Sequence, residues 1–117
     1  MIYVIVEYGR IYPCRNTDLS RNETTIVWKM SDERESAYPI QGKGLDPHYP
    51  AALQGFVGGL SKDSVYLAFA VFEDSFPEFN ITKRIATAQG VAYGWEPFLN
   101  KEAPVSFSPE GHTPRPQ

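Results

Sequence analysis

The segment that most constrains the fold is an unbroken apolar run, Val65–Phe72, which is followed by an amphipathic stretch. Eight apolar residues are too few to span a bilayer, and they are typical of a strand that is covered on both faces. Ser75–Glu78 (SFPE) then matches the capping-box pattern of a helix start. Gly90 is a typical helix stop, and residues 91–98 return to an extended pattern. The sequence therefore predicts a strand, a helix and a second strand over residues 65–98.

The predicted helix has one apolar face. Its apolar residues form a stripe made of Ile81, Ile85 and Ala88, with Phe79 and Ala86 beside it. We expect this stripe to pack on the sheet.

Three carboxylates, Glu73, Asp74 and Glu78, gather at the start of the same helix. Such oxygens suit hard metal ions. However, capping by Ser75 and Glu78, together with the attraction of negative charge to the helix N-terminus, explains their placement without a metal. We therefore predict no metal site, and no motif in the chain indicates a cofactor.

A β-hairpin is predicted at the N-terminus. Residues 2–8 are rich in β-branched side chains and are typical of a strand. Gly9 and Arg10 suit a two-residue turn of type II′, which has glycine at its first central position. The chain would return beside the first strand as far as Pro13, which cannot donate to a ladder and favours an edge.

The middle of the chain gives weaker signals. Residues 24–30 have a strand pattern, whereas residues 31–44 carry acidic residues, a proline and two glycines and are expected to form a surface loop. Pro50 at a first helical position and a pair of glycines at the far end predict a short helix over residues 50–57.

These elements predict an α+β fold, in which a small mixed or antiparallel sheet of about four to six strands carries one main helix on one face. A chain of 117 residues suits one domain, which we place at residues 1–103. Residues 104–117 hold four prolines and are predicted to form a mobile arm. Exposed edges in so small a sheet also favour a homodimer.

Charge and composition argue against several classes of function. The net charge is −3 and the basic residues are scattered, which is not typical of a nucleic-acid-binding protein. The single cysteine cannot form an internal disulfide or a cysteine-based zinc site. No segment has the pattern of a leader peptide or the length of a membrane span. We therefore predict a cytoplasmic protein that binds neither nucleic acid nor membranes.

His48 is the first candidate for a catalytic residue. It lies in a loop rich in glycine and proline, and an imidazole titrates near neutral pH, as a general base requires. Asp46 could fix its tautomer, although Pro47 separates the two residues. Cys14 could act as a nucleophile if the fold brings it to His48; otherwise we expect a small core residue.

The predicted last strand is a candidate binding region. Its aromatic residues Tyr93, Trp95 and Phe98 surround Gly94 and Glu96. A glycine beside large aromatic residues lets a ligand or a partner backbone approach closely. Tyrosine and tryptophan are also favoured at protein interfaces, because they bury a large area. The alternative is that these rings only pack the helix onto the sheet.

Lys43 and Tyr49 are two further binding candidates in the loop that contains His48. The glycines on both sides of Lys43 resemble a fragment of a phosphate-binding loop, but the full motif spacing is absent. Tyr49 follows His48 directly and could assist it.

The sequence favours a non-enzymatic binding or accessory protein that interacts with a protein partner or with a second copy of itself. The reasons are its many aromatic residues, its acidic balance of charge and the lack of a catalytic motif. Two alternatives stay open. One is a small enzyme with His48 as general base, assisted by Asp46, Cys14 or Tyr49; the other is a protein that binds a small anion or ligand through Lys43. No motif identifies a family.

Overall fold

Two β-sheets and two α-helices form the part of the chain that the computed structural model describes, which is residues 1–99, residues 104–107 and the backbone of residues 115–116. The elements in chain order are β1 (Ile2–Glu7), β2 (Arg10–Pro13), β3 (Ile26–Ser31), β4 (Arg34–Pro39), α1 (Ala51–Gly58), β5 (Tyr66–Phe72), a 3-10 turn (Glu73–Ser75), α2 (Phe76–Ala88), β6 (Ala92–Phe98), β7 (Val105–Phe107) and β8 (Arg115–Pro116). The predicted α+β fold class is confirmed.

The first sheet, which we call the central sheet, is mixed. Its strand order is β2-β1-β5-β6, with β1, β5 and β6 parallel and β2 antiparallel to β1. The apolar run forms β5 in the interior of this sheet, as predicted. Its buried side chains, which occupy both faces, are Leu67, Phe69, Ala70, Val71 and Phe72.

Each face of the central sheet is covered by a different layer. The helices α1 and α2 cover one face through side chains that include Leu53 and Phe79. The second sheet covers the other face through Ile26, Ala37 and Val105. The described residues therefore form three layers, with the central sheet in the middle.

The second sheet is antiparallel, with strand order β3-β4-β7-β8. Its strand β4 lies where the sequence predicted a loop, so that prediction is wrong for residues 34–39. Asp32 and Glu33 form a two-residue turn with φ angles of 50° and 63°, which places Ser31 opposite Arg34. Because residues other than glycine rarely adopt positive φ, this acidic turn gave no hairpin signal.

The N-terminal hairpin is present, but its turn is displaced by one residue from the prediction. Tyr8 and Gly9 occupy the two turn positions with φ angles of 58° and 67°, and Arg10 is already paired with Glu7. Positive φ at both positions is the geometry of type I′, not of the predicted type II′.

The buried face of α2 also differs from the prediction. Phe79, Thr82 and Ala86 are the buried residues of this helix, whereas Ile85 is half-buried and Ala88 is exposed. Thr82 can be buried because its hydroxyl donates a hydrogen bond to the Glu78 carbonyl oxygen at 2.8 Å. A hydrophobic pattern does not identify such a residue, so the predicted stripe is centred beside the buried face. Phe79 and Ala86, which the prediction included at its margin, are buried, and Ile85 packs against the core.

Ser75 does not form the predicted capping box. Its hydroxyl accepts a hydrogen bond from the Gly9 backbone N–H at 2.9 Å and donates one to Asp74 Oδ1 at 2.7 Å. The side chain therefore links the start of α2 to the β1–β2 turn. The predicted end of the helix is confirmed, since Gly90 follows the helix with a φ angle of 76°.

The division into a domain at residues 1–103 and a mobile arm at residues 104–117 stays a prediction. Residues 105–107 form β7, which pairs with β4, and Val105 is buried between the sheets. From residue 108 onward, only the backbone of residues 115–116 belongs to the described part. Within that part, neither helix combines the length and the apolar character that crossing a bilayer requires.

Candidate functional site

A cavity of about 280 Å³ lies on the face of the central sheet that the second sheet covers elsewhere. It lies over the first halves of β1 and β5 and over the middle of β6, and we call it the β6 cavity. Its lining includes Tyr3, Tyr66, Ala68, Ala70, Gly94 and Glu96.

Strand register explains why this part of the sheet is hollow. Tyr3 is paired with Ala68, Ala68 with Gly94, and Ala70 with Glu96. Paired residues of neighbouring parallel strands project from the same face, so all five face the cavity. The small residues Ala68 and Ala70 leave space that the larger Tyr3 and Glu96 do not fill, whereas the space over Gly94 is occupied by the end of the Tyr66 side chain.

Tyr66 and Gly94 fit together across two neighbouring strands. A Cβ atom on Gly94 would overlap the Tyr66 hydroxyl oxygen and would lie 3.2 Å from the ring carbon Cζ. Any residue larger than glycine at this position would therefore displace the tyrosine ring. Since Tyr66 is 41% exposed, its ring forms a wall of the cavity and not part of the core.

Glu96 is the only acidic residue in the lining of the β6 cavity, among the residues that the structure describes. Within the same ranges, no salt bridge joins it to a cation. Burial raises the pKa of Tyr3, and the negative charge of Glu96 raises it further. Met1, with the amino group of the chain, also lines the cavity. Among the described residues, however, no salt bridge joins that amino group or any side-chain cation to the Glu96 carboxylate.

The opposite face of β6 carries the aromatic residues that the sequence pointed to. Trp95 packs on Phe76 with ring centroids 5.7 Å apart and on Phe79 at 5.4 Å. Tyr93 packs on Phe69 at 5.9 Å and is half-buried. Trp95 nevertheless keeps 51% of its surface exposed. Its ring is therefore held in place on one side and open to solvent on the other.

β6 is also an edge strand of the central sheet. Among the described strands, it pairs only with β5. Pro97 lies near its end, and proline is compatible with an edge because it lacks a backbone donor. No described strand therefore pairs with the backbone groups on the outer side of β6 before Pro97.

His48 has a carboxylate partner, but it is Glu78 and not the predicted Asp46. His48 Nε2 lies 3.0 Å from Glu78 Oε2. Asp46 instead accepts a hydrogen bond from the His48 backbone N–H at 2.9 Å and lies 3.7 Å from Arg10. The His48 side chain is 56% exposed. It lines neither the β6 cavity nor a second cavity of about 310 Å³ beside Gln54 and the last turn of α2.

Cys14 does not meet His48. The thiol is buried in the cluster between the two sheets, whereas His48 contacts α2 on the opposite side of the central sheet. Burial raises the pKa of Cys14 to about 12, so it is a protonated thiol at neutral pH and not a nucleophile.

The remaining candidates are spread over the molecule. Phe98 is buried and packs on Phe72 with centroids 5.2 Å apart, so it belongs to the core. Lys43 and Tyr49 are exposed in the loop around His48. No group of three or more His, Cys, Asp or Glu residues in the described ranges could hold a metal ion.

Sequence reasoning identified β6 but missed the other walls of its cavity. Tyr3 and Tyr66 belong to other strands, and their approach to Gly94 depends on strand order. The one available signal was the pair Ala68 and Ala70, two small residues at alternate positions of an otherwise large apolar run. Glu78 was missed as the partner of His48 because 30 positions separate the two residues.

No protein-family model matches this chain, and no curated protein or solved structure matches it either. The function is therefore argued from the site itself.

Proposed function

We propose that this protein is a non-enzymatic binding module that holds an extended segment of a partner protein along the outer edge of β6. Edge strands present unpaired backbone groups that a partner strand can complete. Seven residues form β6, and no described strand pairs with its outer side before Pro97. This length suits a short extended segment.

The observation that carries the proposal is the state of Trp95. Tryptophan is enriched among residues that dominate binding energy, because its large ring buries much apolar area. Here Phe76 and Phe79 fix the ring while half of its surface stays exposed. A ring that is already ordered loses little side-chain entropy on binding. Trp95 is therefore suited to be the anchor of an interface.

Charge favours a different protein over a second copy of this chain. The strand Ala92–Phe98 contains Glu96 and no basic residue. Two copies that met through β6 would bring two Glu96 carboxylates to one interface with no cation from either strand. Like charges placed together in this way suppress association. We therefore expect a partner segment that carries positive charge.

A second candidate function is supported by the hydrogen bond between His48 and Glu78. A carboxylate that orients an imidazole is a common arrangement around a general base. However, His48 is more than half exposed, and the two cavities described above lie elsewhere. His48 is therefore an exposed base that lines neither of these two cavities.

Peptide selection tests the proposal. A displayed library of random peptides is selected on the purified protein, and dissociation constants of the selected peptides are measured for the wild type and for Trp95→Ala. We expect a loss of about 30-fold, which corresponds to the roughly 2 kcal/mol typical of an anchor residue. Tyr38→Ala, which removes an exposed ring from β4 on the second sheet, is the matched control and should leave affinity unchanged.

Amide shift mapping by NMR then locates the bound peptide. The proposal requires the largest shifts in Ala92–Glu96. Shifts confined to the surroundings of His48, with equal affinity for wild type and Trp95→Ala, would overturn it. Association of the protein with itself through β6, detected as a concentration-dependent mass that Trp95→Ala abolishes, would replace the foreign partner with a second copy.

A further inference from the structure

The geometry points to a guanidinium or ammonium group as the occupant of the β6 cavity, supplied by an arginine or lysine side chain of the bound segment. This inference rests on the proposed function and adds the chemistry of the residue that enters the cavity.

The charge in the lining of the β6 cavity favours a cation. Glu96 places a negative charge in the lining, and no described residue neutralises it through a salt bridge. A carboxylate in a partly enclosed, mostly apolar site attracts a cation more strongly than one in open water, because the surrounding dielectric is lower. A charge-assisted hydrogen bond to a carboxylate is also roughly twice as strong as a neutral one.

Aromatic residues form walls of the β6 cavity. The rings of Tyr3 and Tyr66 both line the cavity together with Glu96. Cations bind favourably over the faces of aromatic rings, and sites for ammonium and guanidinium groups use such rings. The aliphatic stem of an arginine or lysine can pack on Ala68 and Ala70 at the floor. The cavity thus matches both parts of such a side chain: its apolar floor suits the aliphatic stem, and its aromatic walls and carboxylate suit the cationic group.

The size of the cavity limits the occupant. A volume of about 280 Å³ is just below the range that holds drug-sized ligands, and it suits one long side chain. A bare divalent metal ion does not fit this lining, because calcium requires about six to eight oxygen ligands and the lining has one carboxylate.

The position of the cavity matches a bound strand. Side chains alternate between the two faces of a strand. On β6, Gly94 and Glu96 face the cavity, whereas the Trp95 ring packs on Phe79 on the opposite side, although Trp95 also contributes to the cavity lining. A segment paired with the edge of β6 alternates in the same way. It would place one side chain against Trp95 and a neighbouring one at the mouth of the cavity.

The test compares two small probes of nearly equal shape, N-acetyl-arginine amide and N-acetyl-citrulline amide, in which a neutral urea replaces the guanidinium. Each is titrated into the full chain, and amide shifts are followed by NMR. We expect the arginine probe to shift the amides of Ala68, Gly94 and Glu96, and the citrulline probe to bind at least about tenfold more weakly. Glu96→Gln should reduce arginine binding to the level of citrulline.

Glu23→Gln is the matched control, since it removes the same charge from an exposed loop position outside the cavity. It should leave arginine binding unchanged. Equal binding of both probes, no binding of the arginine probe up to its solubility limit, or full binding by a folded Glu96→Gln variant would overturn the inference.

These outcomes separate the two proposals. If the arginine and citrulline probes bind equally but binding of the selected peptides still depends on Trp95, the cation inference fails and the β6 interface stands. If the arginine probe requires Glu96 but no peptide depends on Trp95, the proposed function fails, and the link between the cavity and a bound strand fails with it.

Discussion

The two ends of the parallel strands β1, β5 and β6 differ in how their polar groups are satisfied. At the carboxyl end, polar groups bond to one another: Gly9 N–H to Ser75, Ser75 to Asp74, and His48 to Glu78. Over the first halves of β1 and β5 lies the β6 cavity, whose carboxylate has no described cationic partner.

This difference runs against the usual location of ligands in parallel sheets, which bind outside the carboxyl ends of the strands. Groups that already satisfy one another hold loops together and gain little from a ligand. A carboxylate that faces open space and aromatic walls gains more favourable contacts from a bound ligand. We therefore assign a structural role to the carboxyl end and a binding role to the side that carries the β6 cavity.

The largest expected effect is a loss of stability at alkaline pH, which arises from the buried thiol of Cys14. The Cys14 backbone N–H donates to the Tyr3 carbonyl at 2.8 Å, so the thiol lies next to a cavity wall, yet it is buried. Burial raises the pKa of Cys14 from its usual value of 9.0 to about 12. The unfolded chain loses the thiol proton at a lower pH than the folded protein does. The free energy of unfolding is therefore retained below pH 9 and falls as the pH rises toward 12. The loss approaches about 1.4 kcal/mol for each pH unit in this window.

Urea unfolding between pH 8 and pH 11 measures this effect. Burial also raises the pKa of Tyr12, which acts in the same direction at higher pH, so Cys14→Ala should reduce the slope without removing it. A wild-type stability that is flat up to pH 11 would contradict the raised pKa of the buried thiol.

The next effect concerns the cavity wall formed by Tyr66. We expect Gly94→Ala to lower the free energy of unfolding by about 1 kcal/mol, because the new Cβ overlaps the Tyr66 hydroxyl and the partly exposed ring has to move aside. In a Tyr66→Phe background the overlapping oxygen is gone, and the same substitution should cost less. A double-mutant cycle in urea measures this coupling. Strictly additive effects would contradict the described contact.

At the carboxyl end, Ser75→Ala should cost about 1–3 kcal/mol of stability and leave peptide affinity unchanged. The substitution leaves the Gly9 N–H without its partner beside a residue that is fully buried. Ser61→Ala, at an exposed position in a turn, is the control and should change stability by less than about 0.5 kcal/mol. A Ser75→Ala protein of wild-type stability would remove the structural role that we assign to this end.

The sequence predicted the elements that local patterns determine. The run Val65–Phe72, the helix after it and the stop at Gly90 all have strong local signals, and all three are present. The strand β4 was missed because Asp32 and Glu33 make a turn with positive φ at both positions, and a glutamate stands where such turns usually have glycine.

The site was predictable only in part, because it depends on strand order. Trp95 and Glu96 were identified from their own strand. Tyr3 and Tyr66 become cavity walls only because β1 and β6 both pair with β5, and no local pattern encodes that order. Likewise, the pairing of His48 with Glu78 depends on how a loop meets a distant helix.

The smallest expected effect is at His48. The hydrogen bond between His48 and Glu78 has one exposed member, since the His48 side chain is 56% exposed whereas that of Glu78 is 15% exposed. Because solvent competes for the exposed imidazole, His48→Ala should change the free energy of unfolding by less than about 1 kcal/mol, although the imidazole lies 3.0 Å from Glu78. Peptide affinity should also stay at the wild-type value, since His48 does not line the β6 cavity. Urea unfolding and peptide titration measure both quantities. A large loss of peptide affinity in His48→Ala, with Trp95→Ala unaffected, would move the binding role to the carboxyl end and reverse the comparison.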